Sequence, residues 1–173
     1  LPGRIKAVNP TATVMSLGGA TEGSIWSVWY EVNEIHADWS SIPYGVAMPN
    51  QQLYILSPDD EYCPVEVVGE IHIGGLGVAL NYWADPEKTA HHFIEHPRLG
   101  RLYRTGDLGK WHREGYIEFM GRKDSQLKIR GYRVELGEIE HALVSYPGVK
   151  QAIVVASKDC VLASHYLVAY DVA

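Results

Sequence analysis

The spacing of apolar and polar positions changes twice along the chain. Residues 1–39 mix short apolar runs with a glycine-rich turn, "SLGGATEGS". From residue 40 to 121 the period shortens. "QLYIL" is an apolar run stopped by "SPDDEY", and in "VGEIHIGG" Ile71 and Ile73 alternate with Glu70 and His72. A period of two predicts strands with one buried and one wetted face. "RLYRTGDLGKW" and "GYIEFMGR" are extended runs on either side of His112-Arg113-Glu114-Gly115, which predicts a hairpin. "ADPEKTAHHF" reads as a helix start, with Asp85 as cap and Pro86 at the first helical position. Beyond Asp124, "SQLKIRGYRVE" is extended. "LGEIEHALVSY" then places Leu136, Ile139 and Leu143 on one helical face, with acids in its first turn and Pro147-Gly148 as its stop. Two β-rich runs, "VKQAIVVAS" and "SHYLVAYDV", follow with a turn near Asp159. The order strand, helix, strand, strand predicts a small α+β unit.

Composition narrows the class. The chain has 173 residues, 46% hydrophobic and 21% charged, a balance that supports a globular core. Its net charge of -6 argues against broad attraction to nucleic acid or to an anionic membrane. Lys123, Lys128, Arg130 and Arg133 are the densest basic group. Cys63 and Cys160 form no Cys-x-x-Cys pair and read as reduced thiols of a cytoplasmic protein. No apolar run is long enough for a membrane helix, and no signal-peptide pattern opens the chain. The opening "LPGRIKAV", without Met, reads as a piece of something longer. Among lesser features, His92 and His96 have the i, i+4 spacing of a zinc pair but lack an obvious third ligand. "GGLGV" reads as a bulged strand corner rather than a dinucleotide loop, and Asp59-Asp60-Glu61 as a solvated turn. Trp26, Trp29, Tyr30 and Trp39 belong to the core or to a face covered by other sequence.

The chemistry concentrates in "YRTGDLGKWHREGYIEFMGRKD". A hairpin turning near Arg113-Glu114 brings Asp107 close to Gly121 and Arg122. Gly106 and Gly121 permit close approach of backbone or ligand. A carboxylate can accept from two vicinal hydroxyls, and an adjacent guanidinium adds donors and fixed positive charge. The pair suits a ribose with phosphate nearby; a cross-strand ion pair that only fixes register is the commoner account when pairing alone is considered.

"SLGGATEGS", "GEIHIGGLGVALNYW", "YRTGDL" and "GRKDSQLKIRGYRVELGEIE", in this order, resemble the core motifs of adenylate-forming enzymes. They are most similar to the adenylation domains of non-ribosomal peptide synthetases, over about residues 15–140. The resemblance implies an ATP-dependent, AMP-forming ligase. Such an enzyme converts an amino acid to an aminoacyl-adenylate with Mg2+ and passes it to the phosphopantetheine thiol of a carrier protein domain. It implies that Asp107 holds the ribose hydroxyls and that Arg122 supports the same sugar. Around Gly19, Thr21 would contact the α-phosphate and Glu22 would help hold magnesium; a glycine turn before a capped helix is the plainer account of "GGATE". The family shows Asn-x-Tyr-Gly before Thr-Glu, whereas this chain has Ser16-Leu17-Gly18-Gly19, so the motif's aromatic is absent. Asp124 matches the hinge of the family's C-terminal lid. Lys128 and Gly131 match the loop that faces the site in the thiol-accepting state; a solvated strand residue and a turn glycine explain them as well. Leu17, Ile25 and Trp26 fall at substrate-pocket positions and resemble cysteine-activating domains of thiazoline-forming siderophore synthetases, although core packing would also use such residues.

The implied fold is mixed α/β (α+β). Residues 1–39 would be the end of an α/β core layer, 40–123 a distorted, β-rich barrel subdomain, and 124–173 the start of a truncated α+β lid. The family's phosphate loop would lie before Leu1 and its late catalytic lysine after Ala173, so the isolated chain is expected to be inactive. A methyltransferase-like insertion after residue 173 is a further expectation from the same subgroup. The expected partners are the amino acid, a carrier domain and the remainder of the parent synthetase, with no nucleic acid or membrane. An acyl-coenzyme A ligase and a non-catalytic docking or scaffold module are the alternatives.

Overall fold

The computed structural model describes residues 1–36, 39, 41–123, 127–129, 132–134, 136–158 and 165–172. The chain divides into two compact units, Leu1–Lys123 and Asp124–Ala173.

The first unit opens with helix α1 (Pro2–Val8) and strand β1 (Met15–Gly18). A single 3-10 turn, Thr21–Gly23, leads to β2 (Val28–Glu31) and β3 (Val46–Ala47). These strands form a three-stranded antiparallel sheet, β1-β2-β3. The second sheet takes β4 (Gln51–Leu56), β5 (Gly69–Gly75), β6 (Phe93–His96), β7 (Gly100–Trp111) and β8 (Ile117–Arg122). Helix α2 (Pro86–His92) precedes β6. Asp85 caps it as its sequence predicts, accepting from the Lys88 amide at 2.9 Å, with Pro86 in the first turn.

The long strand β7 organises this sheet. One of its edges pairs with β5, and the other pairs first with β6 and then with β8. The order is β4-β5-β7-β6, with β8 also on β7. Among the described residues the sheet stays open, so the expected barrel does not close. An isolated bridge, Gly45 to Ile117, ties the two sheets together. Val28, Leu53, Ile55, Ile71, Ile73, Phe93, Tyr103 and Ile117 make the shared core. Cutting one such isoleucine to alanine costs about 2–5 kcal/mol.

Strand β5 departs from its alternating pattern. His72 is 1% exposed, as inaccessible as Ile71 and Ile73. Its cross-strand neighbours are Tyr54 and Arg104, and Arg104 is clamped by both oxygens of Asp60 at 2.9 and 2.7 Å. The turn at residues 57–61 therefore covers the face that alternation predicts to be wet. It is also no free solvated turn, since Glu61 pairs with Arg98 and the Asp60 carbonyl accepts from His96 Nε2. "GGLGV" is likewise not a bulged corner: β5 ends at Gly75 and residues 76–77 turn away.

In the second unit, β9 (Leu127–Ile129) and β10 (Tyr132–Val134) pair antiparallel, so the stretch predicted as one extended run is a short hairpin. Helix α3 (Leu136–Val144) follows, with Leu136 buried. Strands β11 (Gln151–Lys158) and β12 (His165–Val172) form an eight-pair antiparallel ladder. Glu140 on α3 accepts from the Val154 amide at 2.8 Å and so fastens the helix to β11.

Candidate functional site

The predicted hairpin forms with its turn at residues 112–116. The His112 amide donates to Tyr116 O, and the Gly115 amide to His112 O. From Trp111–Ile117 the ladder runs regularly to Gly109–Phe119, but the next pair is Leu108–Gly121. Met120 is the extra residue of a bulge. A regular ladder would set Asp107 against Gly121. The bulge advances the register by one and sets it against Arg122. Arg122 Nη1 donates to Asp107 Oδ1 at 2.6 Å, and its Nη2 donates to Thr105 O at 3.2 Å.

A second irregularity projects Asp107. Between the pairs His72–Arg104 and Glu70–Leu108, β7 has three residues, Thr105-Gly106-Asp107, where β5 has only Ile71. Gly106 takes φ +73°, a left-handed value that glycine adopts without strain. Thr105 Oγ1 donates to Ile71 O at 2.7 Å and accepts from the Asp107 amide at 2.9 Å. The Gly106 amide donates to Glu70 Oε1, and Lys123 Nζ pairs with Glu70 Oε2. The Asp107 and Arg122 side chains are 16% and 23% exposed, sheltered but still reachable from solvent.

The "GGATE" turn is the second segment with predicted site residues. Gly19 has φ +143°, and a Cβ there would lie 2.5 Å from the Ser27 amide nitrogen. The position is closed to any side chain. Thr21 is exposed, whereas Glu22 is 7% exposed. Tyr82 Oη donates to Glu22 Oε1 at 2.7 Å and lies 3.4 Å from the Tyr103 hydroxyl. Burial, with help from Tyr103 and Glu22, pushes the Tyr82 hydroxyl far above the usual phenol range, so it remains a donor. The loop after β5 docks on this turn: the Ala79 amide donates to Glu22 O, and Ser24 Oγ donates to Gly77 O. "GGATE" and "GGLGVALNYW" are thus two faces of one contact.

Of the pocket positions, Leu17 on β1 is exposed, and Ile25 and Trp26 are 63% and 56% exposed just beyond the turn. Ile25 holds φ +69°, an outlier for a β-branched residue, and its amide donates to Ala20 O. These side chains are not the core packing that was the plainer alternative. Lys128 lies on β9 opposite Arg133. The hinge Asp124 and the glycine Gly131 lie outside the described residues, as does Cys160. Sequence reading missed Tyr82. Tyr82 was inside a quoted motif, and a buried phenol needing a partner was the available signal.

Among the described residues no three His, Cys, Asp or Glu side chains gather into a metal cage. His92 ends α2 and His96 ends β6. Both ring nitrogens of His96 are engaged, Nε2 with Asp60 O and Nδ1 with the amides of Arg98 and Leu99. Magnesium bound with a nucleotide keeps waters and phosphate oxygens and needs only one or two carboxylates. Glu22, with one oxygen oriented by Tyr82, fits that requirement. A cavity of 280 Å³ lies along Trp39, Lys110, His112, Tyr116 and Glu118, reaches Phe119, and contains none of the sequence-predicted site residues.

Residues 1–83 match the family described as AMP-binding enzyme. Those residues belong to the AMP-binding family. It is 55% identical over 155 residues to bacitracin synthase 1 of Bacillus licheniformis, an alignment covering 90% of this chain and 3% of that protein. To pyochelin synthetase PchF of Pseudomonas aeruginosa it is 49% identical over 146 residues, 84% of this chain and 8% of that one. The structure of PA1221, described as a non-ribosomal peptide synthetase protein containing adenylation and PCP domains, superimposes with a TM-score of 0.83 at 26% identity. That match covers 98% of this chain and 35% of the other. Within the family, the chain is therefore a part of a non-ribosomal peptide synthetase adenylation domain, spanning a small fraction of the relatives it matches. No helix among the described residues is long and apolar enough to cross a membrane.

Proposed function

We propose that the protein containing this chain activates an amino acid with ATP and loads it on a carrier domain, and that this chain holds the nucleotide's sugar and the metal-phosphate end. The observation that carries the reading is the bulged hairpin. The bulge at Met120 sets Asp107 beside Arg122 at 2.6 Å, and a separate break against β5 lies beside it, with both side chains sheltered but partly exposed. A regular ladder would have set Asp107 against Gly121 instead. The Asp107 carboxylate has about four acceptor sites, enough for Arg122 and two ribose hydroxyls. Thr21 would meet the α-phosphate, and Glu22 would hold a magnesium ion that neutralises charge on the phosphates. The substrate carboxylate attacks the α-phosphorus, the bond to the bridging oxygen breaks, and pyrophosphate leaves. The carrier's phosphopantetheine thiolate then attacks the acyl carbon, and AMP leaves. Lys128 and Gly131 would serve that second step, with Asp124 as hinge between the two states.

Cysteine is the proposed amino acid. Leu17, Ile25 and Trp26 stand exposed beside the turn, and the identity to a pyochelin synthetase supports a siderophore-type parent. The proposed location is the cytoplasm. Pyrophosphate exchange by the full-length protein across the amino acids tests the reading. Cysteine should exchange fastest, and Asp107→Ala should reduce exchange by about a hundredfold, the loss of a charged sugar clamp. Exchange with no amino acid, or an unaffected Asp107→Ala variant, overturns it. Acyl transfer to free coenzyme A in preference to a carrier would instead select the coenzyme A ligase.

A further inference from the structure

The sequence lacks an aromatic at Gly18, where the family carries tyrosine, yet the structure places an aromatic ring over that position. A Cβ on Gly18 would stand 3.0 Å from Val28 Cγ2 and 3.1 Å from Cε2 of Tyr44. The Tyr44 ring, with Val28, thus occupies the space that a side chain at position 18 would need. Tyr44 reaches this place from the segment before β3, where its amide donates to Ile117 O on β8 at 2.9 Å. Its ring lies 6.0 Å from that of Phe119 at an interplanar angle of 33°. Its hydroxyl is raised above the usual phenol range by burial first and by the Asp107 carboxylate second, with Arg122 opposing. Tyr44 therefore touches the glycine turn on one side and the Asp107–Arg122 hairpin on the other.

We propose that Tyr44 supplies the aromatic surface on which the purine of the bound nucleotide rests, taking over at position 44 the ring that position 18 lacks. The inference rests on the nucleotide reading above and adds a residue that specifies the base end of the site. A base stacks on an aromatic face by dispersion and needs no hydrogen-bond code. The ring's chain position is therefore free to differ, provided it occupies the same place. Glycine at 18 is then a requirement of Tyr44, because both rings cannot share that space.

The test uses the full-length protein and a non-hydrolysable sulfamoyl-adenosine analogue of the acyl-adenylate, with binding followed by calorimetry. Tyr44→Leu should weaken binding about five- to a hundredfold, the worth of one stacked base. Tyr44→Phe should stay within about threefold, since the face and not the hydroxyl does the stacking. Gly18→Tyr combined with Tyr44→Gly, and with Val28→Ala to clear its Cγ2, should recover part of the loss. If Tyr44→Leu binds within twofold of the parent while Asp107→Ala does not bind, the Tyr44 proposal is overturned and the nucleotide reading stands. If the unmodified protein does not bind the analogue, the reading itself falls. Photolabelling of the unmodified protein with 8-azido-ATP needs no folded variant: the label should fall on the peptide containing Tyr44, and labelling confined to other peptides overturns the proposal.

Discussion

The coupling between Asp107 and Arg122 can be measured apart from any nucleotide. Arg122 donates to Asp107 at 2.6 Å and to Thr105 O at 3.2 Å, with side chains 23% and 16% exposed. Exposed ion pairs contribute about 0–1 kcal/mol, whereas breaking a wholly buried one costs about 3–5 kcal/mol. The burial here lies between those cases, so a coupling of about 1–2 kcal/mol is expected. The Lys123 amide, which donates to Gly106 O at 2.8 Å, closes the hairpin mouth and reports its local opening. In the full-length protein, Asp107→Ala and Arg122→Ala should each speed exchange of that amide about five- to thirtyfold, at about 1.4 kcal/mol per decade. The double variant should be little faster than the faster single one, because each single change already breaks the pair. Effects that add to within about 0.3 kcal/mol would show that the two side chains do not depend on each other, and the structural basis of the sugar clamp would be lost.

Four other outcomes are expected. Tyr82→Phe removes the hydroxyl that orients Glu22; loss of a hydrogen bond to a buried charged group should destabilise the protein by about 1.5–3 kcal/mol and raise the magnesium concentration needed for half-maximal pyrophosphate exchange, and unchanged magnesium dependence would refute the orienting role. Gly19→Ala forces a Cβ to within 2.5 Å of the Ser27 nitrogen at φ +143°; it should cost at least about 2 kcal/mol in thermal unfolding, and a neutral result would contradict the turn geometry. Burial holds the His72 imidazole below its ordinary value, so protons favour the unfolded state. Stability should be fully present above the unfolded value near 6.5 and fall as pH drops below it, by at most about 1.4 kcal/mol per unit; His72→Leu should flatten the profile measured by denaturation between pH 7 and 5, and an identical profile would refute the assignment. Burial also raises the Cys63 thiol, so its alkylation should need a higher pH than a free cysteine does; mass-spectrometric labelling with an ordinary thiol profile would disprove it.

The sequence exposes local chemistry well and register poorly. The Asp85 cap, the Pro86 start and the turn at residues 112–116 follow from a few adjacent residues and form as expected. The nearness of Asp107 to Arg122 could also be read, since a tight turn limits where the partner falls. What could not be read is why they meet: Met120 is an unremarkable apolar residue, and its place as the bulge is set by pairing along both strands. His72 was misread for a related reason. Alternation records what a strand offers, whereas burial depends on what lies above it, here Asp60 and Arg104, which arrive from elsewhere in the chain. Tyr82 meets Glu22 across sixty positions, and Tyr44 covers Gly18 from the segment before β3.

The missing aromatic in "SLGGATE" shows how these long-range contacts change a functional reading. Taken along the chain, Gly18 removes a ring from the site. Taken in space, Gly18 makes room for one, because its absent side chain admits Tyr44 beside Phe119 of the hairpin. A motif therefore constrains the place to be filled more tightly than the position that fills it. The two glycines of the turn then have different reasons: Gly19 is closed by its own backbone and the Ser27 amide, whereas Gly18 is closed by two side chains, Val28 and Tyr44, that could themselves be changed. A larger residue at 19 should fail with any partner, and one at 18 should be tolerated once both Tyr44 and Val28 are reduced. That difference in rescue, read from unfolding of the paired variants, separates a conformational glycine from one that yields its space to another residue.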